Sequence, residues 1–307
     1  MSAAEMAPAA AAPATTAGQV LAASVDRLRS AGSPTPRLDA EVLVAWLFER
    51  DRAWLLAHLD EPVETAGMAT LDGWVNRRGR GEPVAYIRGF KEWNGIRLLT
   101  DERALIPRPE TELLVEAAVA EIAARLVRDE RAISAWDVGT GSGAVAVALA
   151  RRFRSALALG RVRLVASDVS PEAVELASDN LVAHGVEHLV TLAVGDLLDA
   201  DRAIRPDVLV ANLPYVTSGE VATGEGSLGW EPPTALDGGP DGLDVVRSLF
   251  DALPGRLAED GTALLEVGSD QADQVRRLVG GLPGSWAVSV APDLAGRDRV
   301  VHLERRP

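Results

Sequence analysis

The stretch WDVGTGSGAVAVALA, Trp136 to Ala150, runs an apolar segment into three alternating glycines and out again as a small-residue helical pattern. Gly139, Gly141 and Gly143 let the chain turn sharply and bring backbone N–H groups close to a ligand at the start of a helix. The stretch alone leaves several readings open. Gly139, Gly141 and Ala144 satisfy the loose G-x-G-x-x-G/A pattern of dinucleotide-binding folds, and a tight strand-to-helix connection that binds nothing would look the same. Its surroundings narrow the fold. From Ala132 onward strand-like and helix-like blocks alternate: AISAWDVG before AVAVALARRF, RVRLVASD before PEAVELASDNLVAHG, HLVTLAVGD before a turn and PDVLVANLPY, then GTALLEV, SDQADQVRRLVGG, SWAVSV and RVVHLER. This alternation predicts an α/β fold with a mostly parallel sheet covered by helices on both faces. Ligands in that architecture bind beyond the carboxyl ends of the strands.

Moving toward the N-terminus, LIPRPETELLVEAAVAEIAARLV predicts a helix whose first turn suits Pro109 and the acidic Glu110 and Glu112. Before it, VAYIRGF and GIRLLT flank the turn dipeptide Asn94-Gly95, which predicts a β-hairpin linker over 83–106. Residues 19–82 carry apolar side chains at helical intervals, as in RLDAEVLVAWLFERDRAWLLAHL, and predict a small helical domain. Its Trp46, Trp54 and Trp74 are read as packing residues, with a partner surface as the alternative. Residues 1–18, rich in Ala and Pro, are expected to be a disordered tail, and residues 107–307 the catalytic domain.

Composition excludes several functions. The chain of 307 residues has no cysteine, hence no disulfide framework, Cys-ligated zinc or thiol nucleophile. His58, His184, His188 and His302 lack the spacing of a helical metal site, so no metal is expected. A formal net charge of −14 disfavours long-range attraction to nucleic acid or an anionic membrane. No apolar run approaches the roughly 20 residues of a membrane helix, and no basic segment leads into a compact apolar one, so a cytoplasmic location is expected.

Three polar motifs fall at predicted strand ends. Asp168 in VASDVSPEAV can accept hydrogen bonds from both hydroxyls of a ribose, whether of a nicotinamide cofactor or of S-adenosylmethionine; its alternative is a helix cap ahead of Pro171. Asp196 in VGDLLD can accept from an adenine amino group. The tetrad NLPY, Asn212 to Tyr215, separates the rivals. Hydride transfer needs no grip on a planar NH₂, whereas methyl transfer to an amide or exocyclic amine does, because that nitrogen's lone pair is delocalised. The Asn212 oxygen and a nearby main-chain carbonyl can accept both N–H bonds. Pro214 pushes Leu213 toward an extended conformation that aims its carbonyl into the site, and Tyr215 offers a flat face to the target.

At these residues the chain resembles the amino-methyltransferases that use S-adenosylmethionine and carry an [N/D]-x-P-[Y/F] tetrad. With LIPRPETE, EPPTALDGGPDGLDVVR and DLAGRDRVV added, it resembles the protein-(glutamine-N5) methyltransferases of peptide chain release factors, the HemK or PrmC family. The resemblance implies a class I, Rossmann-like, seven-stranded methyltransferase core behind a small helical domain. It also implies methylation of the glutamine in the Gly-Gly-Gln loop of release factors. It places the methionyl part of the cofactor on Gly139, Thr140, Gly141, Ser142 and Gly143, the ribose on Asp168 and the adenine region on Asp196 and Leu197. Asn212, Leu213, Pro214 and Tyr215 would hold the glutamine amide, with Arg108 and Glu110 beside it. Leu213 stands where that family usually has a second proline, and NLPY also occurs in ribosomal RNA adenine dimethyltransferases, which keeps a nucleic-acid substrate as the alternative. The protein partner is then a release factor, with no stable nucleic-acid binding, and a monomer is expected.

Overall fold

The computed structural model describes residues 15–224 and 228–306, so the expected tail lies outside the described residues up to position 14. The chain divides into two compact units, Met1–Ile87 and Arg88–Pro307.

The first unit is helical. Thr16 and Gln19 form a reciprocal cap that starts α1 (Ala17–Ser30), so the helix begins inside the span read as tail. Pro36 opens α2 (Pro36–Leu47), and the Asp51 carboxylate takes the Trp54 N–H at 2.7 Å to start α3 (Arg52–Ala57). Then come α4 (Thr65–Gly79) and α5 (Val84–Arg88). Leu28, Leu43, Val44, Leu55, Leu71 and Val75 make the core. Trp46 and Trp74 stack on its flank with ring centroids 4.0 Å apart, as packing residues do. Buried Asp39 pairs with Arg78 at 2.7 Å and accepts from Ser33 and Thr35, which ties the start of α2 to α4. The run Val84–Phe90, expected as a first strand, is helical as far as Arg88. The Pro83 carbonyl accepts from Tyr86 and Ile87, and Gly89 ends the turn at φ +75°. Local turn chemistry there overrides β-prone composition.

In the second unit the hairpin β1 (Phe90–Trp93) and β2 (Ile96–Leu99) turns at Asn94-Gly95, both at positive φ. It is built into this unit, because Trp93, Ile96 and Leu98 join the main core. The fully buried Asn180 accepts the Leu99 N–H at 2.7 Å and donates to the Leu99 and Ser142 carbonyls. The remaining elements are α6 (Thr111–Arg128), β3 (Ile133–Val138), α7 (Ala144–Arg152), α8 (Arg154–Ala158), β4 (Val162–Asp168), α9 (Pro171–Ala183), β5 (Val190–Val194), β6 (Val208–Ala211), α10 (Ser218–Thr223), α11 (Asp244–Arg256), β7 (Thr262–Glu266), α12 (Ala272–Val279), β8 (Ser285–Pro292) and β9 (Asp298–Arg306).

β3 to β9 form one seven-stranded sheet in the order β5-β4-β3-β6-β7-β9-β8. Pairing is parallel from β5 to β7, and β9 runs antiparallel to both neighbours. Alternate residues serve opposite faces: Ile133, Ala135, Val208, Val210 and Leu264 pack with α6 and α7, while Trp136, Val138, Leu209, Ala263 and Leu265 pack with α11 and α12. Trp136 is fully buried with its indole N–H donated to Ser167 at 2.8 Å, so truncating it to Ala would cost about 3–5 kcal/mol. Strand order reverses between β3 and β6, which opens a crevice at their carboxyl ends.

Candidate active site

The crevice holds a cavity of about 210 Å³. One wall is the turn after β3. Gly139, Gly141 and Gly143 lie at φ +72°, +54° and +78°, where an L side chain is strained. A Cβ on Gly143 would stand 3.0 Å from both the α and β carbons of Ala177 in α9, and one on Gly139 3.1 Å from Leu213. Gly139, Thr140, Gly141 and Ser142 line the cavity, whereas Gly143 serves the close approach of α7 and α9.

Three carboxylates line the same cavity. Asp137, fully buried, accepts from Thr140 Oγ1 at 2.6 Å and from the Ala146 N–H at 3.2 Å. Burial pushes its pKa up to about 7, against those hydrogen bonds and with the help of the Asp168 charge. Asp168, at the end of β4, accepts the Gly141 N–H at 2.9 Å and the Ser170 N–H at 3.0 Å. It therefore braces the glycine turn, and the cap of α9 falls to Ser170, whose hydroxyl takes the Ala173 N–H. Burial raises the Asp168 pKa as well. Asp196 is exposed at the cavity rim and followed by Leu197, whose φ of +44° is a strained value for a leucine.

The opposite wall comes from β6 and the segment before α6. Asn212, Leu213 and Pro214 line it, with Leu105, Pro107, Arg108 and Thr111. Asn212 donates its side-chain N–H to Thr111 Oγ1 at 3.1 Å. The Leu213 side chain is buried in the core beneath. Tyr215, expected to offer its ring to the target, does not line the cavity; its hydroxyl donates to Glu266 Oε1 at 3.3 Å. Glu110 does not line it either. Arg108 does, but its guanidinium is paired with buried Glu231 at 2.7 Å, and Glu231 also accepts the Ile106 N–H. The tetrad is packed from behind by the GGPDG turn. A Cβ on Gly238 would stand 2.7 Å from the Pro214 carbonyl oxygen, one on Gly242 would collide with the Tyr215 carbonyl, and Gln271 donates to that same carbonyl at 3.0 Å.

The donor set fits S-adenosylmethionine. Carboxylates Asp137, Asp168 and Asp196 face the cavity and suit a ligand with a sulfonium, an ammonium and ribose hydroxyls, and the glycines leave room that β-carbons would fill.

Comparison with known proteins places this geometry. The chain is 38% identical over 291 residues to the release factor glutamine methyltransferase of Moorella thermoacetica, covering 95% of this chain and 99% of that one. The chain belongs to the release factor glutamine methyltransferases. The enzyme of that name from Neisseria gonorrhoeae is 40% identical over 270 residues, 87% of this chain and 93% of that one. A family profile described as PrmC N-terminal domain matches residues 19–89, and one described as ribosomal protein L11 methyltransferase (PrmA) matches residues 118–214. Among solved structures, the hMettl16 catalytic domain in complex with MAT2A 3'UTR hairpin 6 superposes with a TM-score of 0.50 at 14% identity, covering 79% of this chain and 82% of that one, a likeness of fold.

In this release factor glutamine methyltransferase, sequence reading missed Thr111, Asp137, Glu231 and Glu266 as contributors to the site. A signal existed for two of them. Asp137 and Glu266 are the lone acids near the carboxyl ends of mostly apolar strands, ISAWDV and TALLE, and a buried carboxylate there needs a reason. Thr111 and Glu231 carry no comparable mark.

Proposed function

We propose that this chain transfers a methyl group from S-adenosylmethionine to the side-chain amide nitrogen of the glutamine in the Gly-Gly-Gln motif of peptide chain release factors. The observation that carries the reading is Asn212, held by Thr111 on the cavity wall across from the braced glycine turn. When bound against Gly139–Ser142 and Asp168, S-adenosylmethionine supplies a methyl group activated by sulfonium. The protein's own contribution is positional. Asn212 Oδ1 and the Leu213 carbonyl accept the two N–H bonds of the target amide, which fixes its plane and favours the loss of planarity that frees its lone pair. The proton leaves only after positive charge has reached that nitrogen, so water suffices to take it. Pro214 keeps the tetrad extended, and Tyr215 anchors its end through Glu266.

The helical first unit, 19–82 in the sequence reading, docks the protein substrate on this proposal. The enzyme acts as a monomer in the cytoplasm without stable nucleic-acid binding, and the net charge of −14 supports that last point. Mass spectrometry of a release factor incubated with enzyme and S-adenosylmethionine tests the reading. One added methyl on the Gly-Gly-Gln glutamine is expected. Transfer to ribosomal RNA or DNA with the release factor untouched would assign a nucleic-acid substrate instead.

A further inference from the structure

Arg108 is held at both ends. Its carbonyl accepts the indole N–H of buried Trp93 at 2.7 Å and the Thr111 N–H at 3.2 Å, and Pro107 and Pro109 restrict the backbone on either side. Its guanidinium meets Glu231 Oε1 at 2.7 Å, while Glu231 Oε2 accepts the Ile106 N–H at 3.1 Å. The Glu231 side chain is 0% exposed and that of Arg108 30%. Both carboxylate oxygens are therefore used, whereas the Arg108 guanidinium has no other hydrogen-bond partner among the described residues and keeps N–H groups to spare. Arg108 lines the cavity, and so does Thr111, which accepts from Asn212. Pro232 and Thr234, just after Glu231, line it too. A guanidinium fixed in this way offers donors in a set direction with its charge balanced by a buried carboxylate. A balanced donor suits a neutral carbonyl oxygen, whereas a phosphate calls for unbalanced positive charge. A hydrogen bond to the oxygen of the reacting amide would deepen the resonance that ties up its nitrogen, so the carbonyl in question belongs to the main chain of the acceptor.

We propose that Arg108 is a substrate-binding residue that donates to a main-chain carbonyl of the acceptor peptide, and that Glu231 is a positioning residue that fixes the Arg108 guanidinium and balances its charge. This rests on the function proposed above and deepens it, because the pair selects a peptide acceptor over a nucleic acid. It also accounts for a fully buried acid beside the exposed Trp230.

Two variants test it. Arg108→Met keeps the stem and removes the donors; Glu231→Gln keeps an acceptor for the Ile106 N–H and removes the charge. Each is compared with wild type by NMR titration of the full chain, with S-adenosylhomocysteine saturating the cofactor site. The probes are the neutral peptide acetyl-Gly-Gly-Gln-Gly-amide and adenosine 5′-monophosphate, which carries a planar NH₂ and a phosphate. Arg108→Met is expected to weaken peptide binding at least fivefold. Glu231→Gln is expected to weaken the peptide and strengthen the monophosphate, moving the ratio of their affinities at least tenfold. A pair that only braces the cavity wall would weaken both probes together. That result, unchanged peptide binding in Arg108→Met, or no measurable peptide binding to wild type overturns the proposal. Methylation of a full-length release factor gives the second readout: Arg108→Met should raise KM at least tenfold, with kcat within about threefold and the affinity for S-adenosylhomocysteine within about twofold of wild type. A loss of that affinity beyond about fivefold would put Arg108 on the cofactor and overturn the proposal as well. The expected titrations in an enzyme that leaves release factors unmodified remove the substrate reading alone.

Discussion

Replacing Asp137 by Asn probes the most deeply buried charge in the site. The Asp137 carboxyl rises from the ordinary aspartate value of 3.8 to about 7 in the folded chain. The folded state therefore binds the proton more tightly, and between those two values it holds more protons than the unfolded chain. Stability falls as pH rises through that window and levels off above about pH 7. The whole effect is about 4 kcal/mol, of which about 3 kcal/mol falls between pH 5 and pH 8. Asparagine keeps the shape and the acceptor for Thr140 and the Ala146 N–H but carries no charge. Scanning calorimetry of the ligand-free proteins should show Asp137→Asn gaining on wild type as pH rises. The relative gain from pH 5 to pH 8 should be about 6–12 °C, at roughly 2–4 °C per kcal/mol for a domain of this size. Asp168, raised in the same direction, is coupled to the Asp137 charge, so removing that charge also eases its ionisation and works in the same direction in the comparison. Parallel profiles would refute the reasoning, because they would mean that Asp137 is either ionised at no cost or solvated in the folded state.

The other predictions concern the tetrad, the glycine turn and the unit boundary. Asn212→Ala removes one or two oriented hydrogen bonds worth roughly 1–3 kcal/mol each, so steady-state kinetics should show turnover down by about tenfold to a thousandfold with cofactor affinity little changed. Gly143→Ala puts a side chain at φ +78° against Ala177 and should destabilise the second unit by about 2–4 kcal/mol in urea unfolding; a loss below about 0.5 kcal/mol would contradict the close approach of α7 and α9. A fragment spanning 88–307 should bind S-adenosylhomocysteine in calorimetry yet fail to methylate an intact release factor. Loss of binding by the folded fragment would move part of the nucleoside pocket into the first unit.

The centre of the sheet was legible because β3, β6 and β7 are buried on both faces, so each reads as a short, mostly apolar run bounded by turns, and WDVGTGSG marks where the first of them ends. The acids Asp168 and Asp196 and the tetrad could be placed for the same reason: in a parallel sheet the end of a strand is a position in space. What the sequence hid depended on approach between distant segments. Glu231 reaches Arg108 across more than a hundred residues, Thr111 reaches Asn212 likewise, and the glycines of GGPDG are explained only by the carbonyls of Pro214 and Tyr215 behind them. The helix at Val84–Arg88 was missed for the opposite reason, since a proline and a left-handed glycine decided it within seven residues while composition favoured a strand.

Leu213 lines the cavity while its side chain packs into the core beside Gly139. On the proposed mechanism leucine and proline are equivalent here, since either supplies the same peptide oxygen, and the space under the turn is what distinguishes them. The same mechanism makes the asparagine, and not a proline after it, the residue that defines the tetrad.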